Sequence, residues 1–129
     1  MDPSMNTIDL GFCSVSLRKD GLLHTHFFTA MKIEPEHVMK IKEACGKLTT
    51  EAPMLITGDE KTVPSERAMH HVSYKDSNPY VSAEAYVLKS LLQKLIADLY
   101  IRINRPARPT RMFTRESDAL NWLKDFKRS

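Results

Sequence analysis

The chain is short of the residues that small folds use as covalent or metal staples. It has two cysteines in 129 residues, Cys13 and Cys45. That is too few for a disulfide framework and suits a reducing compartment. Glycine is scarce, with four residues, and prolines number seven, which excludes collagen-like and linker-like sequence. No run of about 18 apolar residues occurs, so no single stretch reads as a membrane-spanning helix. The first ten residues carry Asp2 and Asp9 and lack the basic-then-apolar pattern of a secretory signal. The expectation is a cytoplasmic protein. There is no G-x-S-x-G, no Gly-rich phosphate loop, no H-E-x-x-H and no C-x-x-C. No signature of nucleophilic catalysis, nucleotide binding or structural zinc is present, and no cofactor is expected.

What is present is ordinary globular material. With 42% hydrophobic and 27% charged residues, the chain buries enough surface to fold without a staple. Its length fits one domain over residues 1–129, with residues 1–10 as a loose N-terminal segment. Charge is uneven. Residues 1–64 hold seven basic and nine acidic residues, and residues 65–129 hold twelve and seven. The basic excess gathers in Arg102, Arg105, Arg108, Arg111 and Arg115, with no acid between them. This stretch reads either as a patch for an anionic partner or as a solvated helix end favoured by the macrodipole. No aromatic residue lies between Arg102 and Arg111, so base stacking has no support and nucleic acid is not the expected partner.

Alternation sets the first element. Cys13, Val15 and Leu17 are followed by Lys19-Asp20-Gly21 and then by Leu23, Thr25 and Phe27. A type I turn with Gly21 as a left-handed bulge pairs Arg18 with Leu22. That register collects the six apolar-face residues on one side and puts the serines, His24 and His26 on the other. A two-residue Asp-Gly turn would mix the faces. Pro35 then suits the first turn of a helix carrying Val38, Ile41, Cys45 and Leu48. Residues 53–57 read as a buried strand, and Ser65 caps a short helix reaching about His71. Residues 80–88 alternate, with Val81, Ala83, Ala85 and Val87 on one face. The small residues at 83 and 85 let a helix pack close.

Ser90 opens the strongest amphipathic segment, Leu91-Leu92, Leu95-Ile96, Leu99-Tyr100 and Ile103. It ends at Asn104 ahead of Pro106. Its apolar side is expected to lie inward against the sheet. A short strand over 109–113 follows. Thr114 is the expected N-cap of a last helix bearing Ala119, Leu120, Leu123 and Phe126. The order is ββαβαβαβα, an α/β domain with a mixed sheet of about five strands opened by a hairpin.

This order, closed by Asn104-Arg105-Pro106, Pro109-Thr110-Arg111-Met112-Phe113 and the Ala119, Leu120, Trp122, Leu123 helix, resembles the STAS-like superfamily of bacterial anti-sigma-factor antagonists. It is nearest to uncharacterised bacterial STAS-like small proteins. The resemblance implies a non-catalytic regulatory module that binds a partner protein. In that family a phosphorylatable Ser or Thr opens the helix after the central strand, in an Asp-Ser-Ser/Thr-Gly type motif. That motif is absent here. Ser65 occupies a comparable place, where a phosphate would be electrostatically welcome and where a plain N-cap serves equally well. The candidate partner surface is Asp59, Ser65 and Arg67.

Other chemistry is thin. His24-x-His26 puts two imidazoles on one strand face, a metal-compatible pair that lacks further ligands nearby in sequence. His70 and His71 are adjacent on a helix and point about 100° apart. His37 has no assigned role. Cys13 and Cys45 read as small buried hydrophobes. A second reading is a small apolar-ligand binder with its cavity between the 91–103 helix and the sheet. A homodimer through the hairpin's sheet edge is a further possibility.

Overall fold

A computed structural model of the chain describes residues 6–58, 62–71, 78–104 and 107–127. The elements are β1 (Thr7–Asp9), β2 (Cys13–Leu17), β3 (Leu23–Phe27), β4 (Lys32–Ile33), α1 (Pro35–Leu48), β5 (Ala52–Thr57), β6 (Val63–Pro64), α2 (Glu66–His71), β7 (Val81–Val87), α3 (Leu91–Asn104), β8 (Thr110–Phe113) and α4 (Glu116–Leu123), closed by a 3₁₀ turn over Lys124–Phe126. The main sheet runs β1-β2-β3-β5-β7-β8, and β4 and β6 form a separate two-stranded ribbon. β1, β2 and β3 are antiparallel, and β3, β5, β7 and β8 are parallel. The domain is α/β with a mixed sheet.

The hairpin adopts the face-segregating register. Leu17 pairs with Leu23, Val15 with Thr25 and Cys13 with Phe27. The Gly21 amide donates to the Arg18 carbonyl at 3.0 Å and the Arg18 amide to the Leu22 carbonyl at 2.8 Å. Gly21 has φ +87°, the left-handed conformation that glycine adopts without steric cost. The N-terminal segment is a correction. Thr7–Asp9 is not loose but pairs with Ser14–Ser16 as a sixth strand, covering the hairpin edge that the sequence reading left open. A three-residue strand shows no periodicity to read.

The parallel strand pairs β3/β5, β5/β7 and β7/β8 are joined through α1, α2 and α3, and α2 contacts both α1 and α3. On the α1 side of the sheet Cys13, Val15, Leu23, Phe27 and Met54 pack with Ile41, Ala44 and Cys45. On the other side Leu22, Leu55, Ala83 and Ala85 pack with Ala119 and Leu123 of α4. The fully buried Ala83 and Ala85 give α4 its close approach. Phe113 and Trp122 rings lie 5.8 Å apart, and Trp122 and Phe126 4.7 Å apart. The N-cap of α4 is Arg115 rather than Thr114.

A bulge changes the phase of β7. Ala52 pairs with Val81, but Met54 pairs with Glu84, so two residues of β7 oppose one of β5. Val81 therefore belongs to the α1 side, while Ala83 and Ala85 belong to the α4 side. The expected single alternation is broken, and Glu84 and Tyr86 turn into the layer beneath α1 and α2.

Candidate functional site

α3 forms a helix over the whole segment read as amphipathic, capped by the Ser90 hydroxyl, which accepts the Gln93 amide at 3.3 Å. Its orientation is the opposite of the expected one. Leu91, Leu92, Leu95, Ile96, Leu99 and Ile103 are 50–69% exposed. The half-buried side carries Gln93, Lys94, Ala97, Asp98 and Ile101. That side is tied down by a polar contact. Gln93 Nε2 donates to the Thr62 carbonyl at 3.3 Å, while Lys94 and Asp98 pair with each other along the helix at 3.0 Å. The helix rests on α2 and on β8, a strand of only four residues at the sheet edge. So short a strand offers too little apolar surface to cover a fourteen-residue stripe. The result is a face of roughly 600 Å² of apolar surface, at the upper end of what a soluble monomer exposes.

Beneath the helices lies a buried polar centre. Glu84 and Arg108 side chains are 6–8% exposed and form an ion pair at 3.4 Å. Arg108 also donates to the Asn78 carbonyl at 3.1 Å, and the Tyr86 hydroxyl donates to Glu84 at 3.3 Å. Asn78 Nδ2 reaches Cys45 Sγ at 3.6 Å. Burial pushes the Glu84 carboxyl up from its ordinary range, and the Arg108 guanidinium opposes that. Burial and the neighbouring Glu84 push Tyr86 well above the ordinary phenol value. A cavity of 60 Å³ sits here, lined by residues that include Phe27, Val38, Ile56, Ala68, Glu84 and Tyr86. It has room for a few water molecules and falls far short of the ~300 Å³ of an ordinary ligand pocket. No residue of α3 lines this cavity.

The open part of the α4-side face carries His24 and His26. His24 Nε2 lies 2.8 Å and His26 Nδ1 2.7 Å from the single hydroxyl of Thr57. Burial, then Arg18 and His26, lower the His24 pKa, while Glu116 raises it. Among the described residues no group of three His, Cys, Asp or Glu side chains is placed to hold a metal.

A family model described as a domain of unknown function (DUF7793) matches residues 15–127. The chain belongs to the DUF7793 family. No curated protein matches it. Among solved structures it is similar to an uncharacterized protein of the DUF3478 family, with a SpoIIAA-like fold, from Shewanella loihica PV-4. Identity is 16%, 86% of this chain and 91% of that one are covered, and the TM-score is 0.49.

In the DUF7793 chain the predicted site residues scatter. Asp59 and Arg105 lie outside the described residues. Ser65 is 6% exposed, and its hydroxyl accepts the Ala68 amide at 3.0 Å, the plain N-cap arrangement. Arg67 is exposed. The arginine patch is dispersed. Arg102 and Arg111 are exposed, with Arg111 5.3 Å over the Phe113 ring, but Arg108 is inside the fold on Glu84. A run without acids in sequence is therefore not a run without acids in space. His37 gains a role, its Nδ1 accepting the Glu34 amide at 2.9 Å where α1 begins. His70 is exposed, and the side chain of His71 lies outside the described residues. Cys13 and Cys45 are fully buried, as read. The feature that sequence reasoning missed is the outward face of α3. Its signal was the amphipathic stripe itself, assigned to the wrong side.

Proposed function

We propose that this chain is a non-catalytic interaction module, and that its docking surface is the apolar face of α3 rather than the 59–67 segment. The observation that carries this reading is the set of six aliphatic side chains exposed on one helix. Water solvates such a face poorly, and covering it releases free energy in proportion to its area. The ionisable groups of unusual character speak for a structural use. Glu84 is neutralised by Arg108, Tyr86 donates to Glu84, and both thiols are deep in the core. None of the four opens onto the α3 face.

A regulatory role on the STAS-like pattern fits a module of this kind, and the partner is a protein surface. The test uses p-benzoylphenylalanine in place of Ile96, irradiated in the cells that express the chain, with the same substitution at the exposed Glu66 as reference. An adduct of defined mass from position 96, absent from position 66, supports a docking face. Irradiation that yields no adduct at 96 overturns it.

A further inference from the structure

We infer that the molecule covering α3 is a second copy of this chain, the two helices crossing at Ile96 about a two-fold axis. This rests on the reading of α3 as a docking face and names its occupant. The exposed residues form two rows with four-residue spacing, Leu91–Leu95–Leu99–Ile103 and Leu92–Ile96. Rows of that spacing are ridges with a groove between them, and ridge-into-groove packing of like rows is the commonest way two helices meet, at about −50°. A second copy presents the same ridges and the same groove, so one patch is complementary to itself, as a two-fold interface requires.

Area and charge point the same way. Two faces of roughly 600 Å² bring together at most about 1,200 Å², of the order of the ~1,000 Å² that a specific complex needs. No charged residue belongs to either row, and the exposed Arg102 lies on the same side of α3 only at its C-terminal end, about 9 Å along the axis from Ile96, so a crossing at Ile96 leaves this cation at the rim of the contact. Lys94, the cation nearest the middle of the helix, is held by its own Asp98. The opposite side of α3 is engaged with Thr62, α2 and β8, so the helix is presented as a fixed surface.

Sedimentation velocity over about 1–200 µM tests this on the intact chain. The expected result is a mass rising from 14.8 kDa to twice that. Leu95→Gln with Leu99→Gln raises the dissociation constant about tenfold or more while leaving the far-ultraviolet circular dichroism unchanged, since both side chains are already in water. Ile96→Cys forms a disulfide-linked dimer on mild oxidation, because residue 96 meets its own copy at the crossing point. A chain that stays monomeric throughout overturns the inference. So does a dimer indifferent to the Leu95/Leu99 pair, and so does a monomer that instead sediments with vesicles of phosphatidylcholine and phosphatidylglycerol. In those cases a position-96 adduct to some other molecule still upholds the docking face, whereas the lack of any adduct ends both readings.

Discussion

A carboxylate enclosed by α1, α2 and the sheet requires a cation, and Glu84 has Arg108 at 3.4 Å. Removing one partner leaves a buried charge without compensation, which costs about 3–5 kcal/mol. Arg108→Ala is therefore expected to lower the urea midpoint sharply. Glu84→Gln combined with Arg108→Met should cost less than Arg108→Ala alone, because no lone charge remains. The thiols make a second residue-scale prediction. Burial pushes Cys13 up to about 12 and Cys45 to about 11, from 9.0 for a free thiol. Between pH 9 and those values the folded chain holds protons that the unfolded chain has lost, so stability falls as pH rises through that window. Equilibrium unfolding at pH 8 and pH 10 measures the loss, and Cys13→Ala should reduce its pH dependence. His24 acts at the other end. Its pKa is lowered in the fold, so the unfolded chain binds more protons below about 6.5 and stability falls on acidification. His24→Gln should flatten that limb of the pH profile.

At the scale of the element, α3 behaves unlike a core helix. Its leucines are exposed, so Leu95→Gln should change the stability of the isolated monomer by no more than about 0.5 kcal/mol. Were the stripe packed inward, the same change would cost several times as much. Urea unfolding at low protein concentration reads the difference. The short helix α2 depends on Ser65 instead, and Ser65→Ala should cost about 1 kcal/mol through loss of the cap. Gly46, a poor helix former within α1, has a tertiary reason. A Cβ there would come within 2.8 Å of the Tyr80 ring. The helix gives up some propensity for the close approach of that ring.

At the scale of the molecule, one sheet carries two cores and leaves one helix face uncovered. If a second copy covers it, folding is coupled to association and the melting temperature rises with protein concentration. Melts across a hundred-fold concentration range should show that rise in the native chain and none in the Leu95→Gln, Leu99→Gln double variant.

Apart from the two-residue strands β4 and β6, the elements from the hairpin to α4 were legible in sequence because each follows from local rules. Alternation, the Gly21 turn, Ser65 and Ser90 as caps and the four-residue spacing of the leucines depend only on neighbours along the chain. β1 was not legible, being three residues long. The β7 bulge was not either, because it is a relation between two strands, and it decided which face received Glu84. The ion pair with Arg108 spans 24 positions and leaves no local trace. Periodicity establishes that a helix has one apolar side. What that side meets is decided by where the helix lands, and α3 lands beside a four-residue edge strand with its polar side held inward by Thr62.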